Sequence, residues 1–305
     1  MNPTLSVIVP AHNPREDYLR RVLEALRQQT LPMERWELVV VDNQSAPPLK
    51  GRLDLQWHPS SEVVLEERLG LTHARVAGFR RAGGDIVVLV DDDNVLAPDY
   101  LEQVARIAAD RPFVAVWGGA VQPQYEDPNF ALPRSLWSLL TLREVESDLW
   151  SNDPGHHAST PWGAGLCVRR KVAEQYVAEL AENPRRYDLD LQGALLLYGG
   201  DTDISYTACR MGYAKGVFRA LNLTHLIPSG RCSEEHLCRV AYGRGFSEIL
   251  HHLSLNGHLP DVNTGLGQWA RTRYRQLMSP ALERAVDRAH LRGRAQAMHK
   301  FSKRA

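Results

Sequence analysis

Three consecutive carboxylates, Asp91, Asp92 and Asp93, follow the apolar run Ile86-Val87-Val88-Leu89-Val90. Acids packed this closely repel one another unless a cation lies among them. A hard divalent ion such as Mg²⁺ or Mn²⁺ takes oxygen ligands and shares one or two carboxylates with substrate phosphates. A metal-and-phosphate site is one reading of the triplet, and an acidic turn leading into the next helix is the other. Two more polar groups stand where apolar runs end. His12-Asn13 follows Leu5–Pro10, and Asp42 follows Trp36–Val41. Asp42 can accept from a base N–H or a ribose hydroxyl, or it can simply shape the turn Asp42-Asn43-Gln44-Ser45. Arg75 lies on the helical segment ahead of the acidic strand and suits a diphosphate or an Asp partner. Asp201 and Asp203 open a later helical segment, where the helix dipole favours an ionised carboxylate and where capping is the alternative use. His156-His157 resembles a metal pair, but neighbours in an extended loop point apart.

The elements that must carry these groups follow from apolar spacing. Strands are expected at Leu5–Pro10, Trp36–Val41, Val63–Leu65, Asp85–Val90 and Phe113–Trp117. Helices are expected at Tyr18–Gln29, Leu71–Ala82 with a Gly83-Gly84 stop, and Pro98–Asp110. This alternation predicts an α/β, doubly wound, mostly parallel sheet with right-handed crossovers. Ligands of such sheets sit at the carboxyl ends of the strands. Adjacent parallel strands would therefore bring Asn13, Asp42 and Asp91–Asp93 to one crevice.

After Gly118-Gly119 the rhythm breaks. Residues 123–161 read as long loops with a short helix near Leu136–Leu142. A glycine turn at 162–165 runs into a strand, and helices follow over Lys171–Leu180 and from Gly199 to Met211. Short strands are expected at Val217–Arg219 and Leu221–His225. Residues 233–305 read as helices interrupted near Gly257–Gly267.

The chain has 305 residues, 44% of them hydrophobic, which is enough for a sizeable core. A net charge of +0 offers no global field for nucleic acid. The four cysteines form no C-x-x-C pair, so a disulfide framework or zinc site is not expected and a reducing cytoplasm fits. No basic leader precedes the first strand, and no apolar run reaches the roughly 20 residues of a spanning helix. Charge is uneven, however. Arg271, Arg273, Arg275, Arg284, Arg288, Arg292, Arg294, Lys300, Lys303 and Arg304 face only Glu283 and Asp287. Such a basic helical tail is either a solvated face or a peripheral contact with anionic lipid.

The order of the motifs resembles family 2 glycosyltransferases of the GT-A fold. The resemblance rests on VIVPAHN at 7–13, VVVDNQS at 39–45, Gly70 with Ala74-Arg75-Val76-Ala77-Gly78, and VDDDN at 90–94. Trp162-Gly163-Ala164-Gly165 with Arg169-Arg170, then Gly199-Gly200-Asp201-Thr202-Asp203, and finally His225-Leu226-Ile227-Pro228 with Arg231 extend it to about residue 245. The resemblance implies inverting transfer of a sugar from a nucleotide-diphosphate donor, expected to be a UDP-sugar, with Mg²⁺ or Mn²⁺. It also implies roles. Pro10 and Ala11 would border the nucleobase, and Asp42 would hydrogen-bond the uracil or ribose. Asn13, Arg68, Arg75, Asp92 and Arg231 join the donor side, Arg68 standing where the family often has Asn. Asp93 would touch the metal, Asp91 the ribose or a metal-bound water, and His225 the metal or diphosphate. Asp201 would be the general base. Trp162 and Gly163 would face the acceptor, while Trp137, Trp150 and Tyr125 would stack on sugars or anchor loops. The family's Glu before the base is Gly200 here, which leaves Asp201 and, one step on, Asp203.

These expectations divide the chain into a nucleotide-sugar-binding half at 1–120, an acceptor and catalytic half at 121–230, and a helical extension at 231–305. A glycan or lipid-linked acceptor is expected, with a cytoplasmic location that includes the inner face of the membrane. Two other functions compete: a sugar nucleotidyltransferase and a non-catalytic nucleotide-sugar or glycan-binding protein. The first would want a glycine-rich basic loop where Ala11-His12-Asn13-Pro14-Arg15-Glu16 stands. The second is favoured by Gly200.

Overall fold

The computed structural model describes residues 5–189, 199–260 and 279–302. Strand β1 (Leu5–Ala11) is buried throughout, and its neighbours β2 (Trp36–Asp42) and β4 (Ile86–Leu89) pair with it in parallel. β3 (Ser61–Leu65) extends the parallel set beyond β2. These are the valine-rich runs of the sequence, which suit a sheet covered on both faces. The remaining strands are β5 (Asn94–Leu96), β6 (Val114–Tyr125), β7 (Leu149–Ser151), β8 (Cys167–Arg169) and β9 (Ala214–Ile227). All belong to one sheet of order β3-β2-β1-β4-β8-β6-β9-β5, with β7 on β9. β8 is antiparallel to both β4 and β6, whereas β6 and β9 run parallel.

Helices α1 (Glu16–Arg27), α2 (Leu71–Arg81), α3 (Tyr100–Asp110), α4 (Arg170–Glu182) and α5 (Gly200–Arg210) pack on the sheet. Strand side chains alternate between faces. Ile8, Val39, Val41, Val87 and Leu89 join Ala74, Val76 and Phe79 of α2, Val172 and Tyr176 of α4, and Ile204 of α5 in one core cluster. On α1 the apolar spacing buries Leu19, Val22, Leu23 and Leu26, and on α3 it buries Leu101, Val104 and Ile107.

The structure corrects three expectations of the reading above. β6 does not stop at Gly118-Gly119 but runs on to Tyr125. The glycine pair marks a shift in pairing with β9, where a Cβ on Gly119 would lie 2.0 Å from the Leu221 carbonyl oxygen. The two short strands near residues 217 and 225 are the single strand β9. The acidic triplet is not a helix-capping turn, because β5 follows it before α3 begins.

The chain forms two contact units. The first comprises residues 1–126, 141–187 and 200–227, and the second 127–140, 188–199 and 228–305. In the second, α6 (Glu234–Asn256) is capped by Ser233 and ends on Gly257 at φ 73°. It packs on α7 (Ala281–Ser302) through Gly245 and Gly293. A Cβ on Gly293 would lie 2.0 Å from the Tyr242 carbonyl oxygen, so only glycine permits this closeness. Residues Arg271, Arg273, Arg275, Lys303 and Arg304 of the basic tail lie outside the described residues.

Candidate active site

The parallel register sets Ala11 directly beside Asp42. Pro10 and Ala11 are buried, and Asp42 is 2% exposed. The Asp42 carboxylate accepts from Ser45 N at 2.9 Å and from Leu49 N at 2.8 Å. It thus shapes the loop after β2, the structural use the turn sequence suggested. Asn13, at φ 47°, accepts from Ala46 N at 2.8 Å and its own amide donates to Ser45 Oγ. His12 Nδ1 donates to the Asn43 carbonyl oxygen at 2.7 Å.

Asn43 was not singled out by the sequence reading, yet it ties two loops together. Its Nδ2 donates to the Glu66 and Arg68 carbonyls, and its Oδ1 accepts from Gly70 N at 2.8 Å. That loop delivers α2 and therefore Arg75. The only sequence signal was an Asn directly after a strand-end Asp. Arg68 itself is exposed and pairs with Glu66 at 2.9 Å, which holds the Glu66 carboxyl below its ordinary range.

Arg75 is 4% exposed. Its guanidinium lies 4.0 Å from Asp91 Oδ1. Asp91 and Asp92 are half-buried in the turn between β4 and β5, closed by Asn94 N donating to the Asp91 carbonyl. Asp93 is 8% exposed and accepts from Asn94 Nδ2 at 2.8 Å. The antiparallel register of β5 on β9 places Asn94 opposite His225. His225 Nε2 consequently lies 3.3 Å from Asp93 Oδ2, across 132 residues of chain.

Asp201 stands in the first turn of α5. Its Oδ2 accepts from Gly163 N at 2.9 Å and its Oδ1 from Thr202 N at 2.7 Å. Gly163 is wedged. A Cβ there would lie 2.7 Å from Arg75 Nη2 and 3.8 Å from Asp201 Oδ2. Asp91 and Gly163, whose N–H donates to Asp201, therefore both lie beside the Arg75 guanidinium.

Asp203, the alternative base, is 1% exposed and bidentate with Arg186, at 2.8 and 3.0 Å. Burial pushes its carboxyl up, against the pull of Arg186. It is a structural ion pair, whereas Asp201 is half-buried. Trp162 is half-buried beneath the Arg143 guanidinium, 4.8 Å from the ring centroid. Trp150 is 44% exposed and stacks on Phe218. Trp137 lies in the second unit, its Nε1 donating to Leu132 O, and Arg231 lies there on the turn Ser229–Cys232.

A model of the family described as glycosyl transferase family 2 matches residues 6–176, more than half of the chain. The chain belongs to glycosyl transferase family 2. Among its relatives, the putative glycosyltransferase EpsH of Bacillus subtilis (strain 168) is 31% identical over 131 residues, covering 41% of this chain and 36% of that protein. Glycosyltransferase AglE of Haloferax volcanii is 31% identical over 136 residues, covering 43% of this chain and 44% of that protein. The matched region thus spans less than half the length of either relative. A solved mannosyltransferase, PcManGT from Pyrobaculum calidifontis in complex with GDP-Man and Mn²⁺, superposes with a TM-score of 0.58 at 20% identity, covering 95% of this chain and 74% of that one. This likeness concerns the fold, which is the GT-A fold of the family 2 enzymes.

Among the described residues, no three metal-ligating side chains converge. Asp93 and His225 do, as a carboxylate and an imidazole. A hard cation that keeps waters and substrate phosphate oxygens requires little more from the protein. The carboxylate suits Mg²⁺ or Mn²⁺ completed by a diphosphate, and the imidazole suits Mn²⁺ better than Mg²⁺.

Proposed function

We propose that the chain transfers a sugar from a nucleoside-diphosphate donor, a UDP-sugar, to a hydroxyl of a glycan or lipid-linked acceptor, with inversion at the anomeric carbon. Direct displacement needs a base for the acceptor proton and positive charge for the departing diphosphate. The observation that carries this reading is the shared guanidinium of Arg75, with Asp91 on one side and the Gly163–Asp201 hydrogen bond on the other.

Asp201 takes the proton from the acceptor hydroxyl, its carboxylate oriented by hydrogen bonds from the Gly163 and Thr202 backbone N–H groups. Arg75 supplies fixed charge toward the diphosphate. Asp93 and His225 would hold the cation, whose chemistry is to stabilise charge on the leaving diphosphate. Pro10, Ala11, Asn13 and Asp42 form the wall for the base and ribose, with Asp91, Asp92 and Arg68 as further donor contacts. Trp162 and Gly163 shape the acceptor side.

Asp201→Asn is expected to lower transfer by about 10²–10⁴-fold while nucleotide binding persists. Asp93→Ala is expected to remove the Mn²⁺-dependent part of UDP binding, read as a lost thermal shift. Unimpaired turnover in Asp201→Asn would refute the base assignment. Donor binding without turnover across acceptors would instead support a binding protein.

A further inference from the structure

Lys215 lies near the start of β9, with 0% of its surface exposed. An ammonium taken out of water costs several kcal/mol unless it is paired, and burial pushes this one below the ordinary lysine range. Its hydrogen-bond partners are neutral. Nζ donates to the His156 carbonyl at 2.8 Å, to Thr160 Oγ1 at 2.8 Å and to Ser159 Oγ at 3.3 Å. Arg143 grips the same loop. Nη1 donates to the Thr160 carbonyl at 2.8 Å and Nη2 to the Ala158 carbonyl at 3.0 Å, beside the Trp162 ring. The loop next packs Pro161 against Gly118 of β6 and then presents Gly163 N to Asp201. Stability alone does not call for a buried lysine, since an apolar side chain of similar volume is commonly as good or better at such a place. Five donated hydrogen bonds from two cations instead fix the path of a loop that ends on the base.

We propose that Lys215, acting with Arg143, is a positioning residue of the transfer reaction, holding residues 156–162 so that the Gly163 amide stays on Asp201. The proposal rests on Asp201 being the base. Two measurements on the full chain test it. The first reads nucleotide release from UDP-glucose, UDP-N-acetylglucosamine and GDP-mannose with Mn²⁺. In Lys215→Met, kcat is expected to fall about 10- to 100-fold, the scale of a misplaced reacting group. The donor KM should hold within about twofold, because donor binding is not addressed. In an Asp201→Asn background the same change should cost nothing further, because groups acting as one unit are not additive.

The second measurement is hydrogen exchange of the peptide carrying Gly163, expected to quicken in Lys215→Met. Should Lys215→Met fail to fold, Ser159→Ala with Thr160→Val removes two of the three Lys215 hydrogen bonds from the loop side. Wild-type kcat in a variant whose loop exchanges faster would overturn the proposal, as would an equal loss in both Asp201 backgrounds. If the wild-type protein releases nucleotide from none of the three donors, the enzyme reading fails separately. Unchanged exchange at Gly163 would then overturn the positioning claim, and faster exchange would sustain it.

Discussion

Asp42 is a carboxylate whose two oxygens are each taken by a backbone N–H, at 2.9 and 2.8 Å, in a nearly buried place. Its removal leaves those donors unsatisfied. Asp42→Ala is therefore expected to destabilise the fold by about 2–3 kcal/mol, measured by urea unfolding. Any contact with a donor nucleotide would come on top of that role. Gly163 fails differently. A Cβ 2.7 Å from Arg75 Nη2 has no room unless the guanidinium moves. Gly163→Ala should leave the melting temperature near wild type and lower kcat by about tenfold or more, since it displaces the Arg75 guanidinium; wild-type kcat in that variant would contradict the wedge. Lys215 has a lowered native pKa because of burial. The unfolded state then binds more protons between the lowered value and the free-lysine value of about 10.4. Its contribution to stability is present above that window and is lost as pH falls through the lowered value. Wild-type stability should gain on Lys215→Met as pH rises from 8 to 10, as chemical denaturation at each pH would show.

At the scale of elements, the ion-pair network joining α4, α5 and the turn Pro184–Leu189 is the clearest stability device. Arg186 holds Asp203 bidentately and also donates to Glu179 at 2.6 Å. Burial pushes Glu179 up, but hydrogen bonds from Arg186 and Arg210 hold it below its ordinary range overall. Arg186→Met strands Asp203 as an unpaired buried acid and should cost about 3–5 kcal/mol by thermal or urea unfolding. The Asp93–His225 pair is also a product of elements. Asp93 and His225 meet only because β5 pairs antiparallel with the end of β9. Neither strand showed its full extent in the sequence, since three residues are too few for an alternation and Gly216 and Asn222 interrupt the apolar pattern of β9.

At the scale of the molecule, the first unit carries the candidate site and the second carries α6 and α7. Among the described residues, no helix is long and apolar enough to cross a membrane. α7 leaves Arg288, Arg292 and Lys300 exposed together with Leu291. If peripheral contact with an anionic lipid surface is the use of this face, each arginine contributes about 1 kcal/mol. Arg288→Glu with Arg292→Glu should then abolish co-flotation with phosphatidylglycerol vesicles at low salt and leave UDP binding unchanged. Equal flotation of the variant would dismiss the membrane contact.

Strand-length apolar runs, helical spacing and the polar residues that end each run are properties of neighbours in the chain, and they sufficed for the parallel half of the sheet and for Asp42, Asp91, Asp93 and Asp201 as candidates. The later strands were blurred because glycine pairs and bulges interrupt a local pattern without ending the pairing, as at Gly119. Tertiary structure alone decided which acid of the Asp201–Asp203 pair is available, because Arg186 is 17 residues from Asp203 in sequence. It alone revealed Asn43 as a stitch, Gly163 as a wedge against Arg75, and Lys215 and Arg143 as holders of one loop. A hydrogen bond or a close contact between residues 15 or more positions apart leaves no period in the chain, so nothing local could announce it.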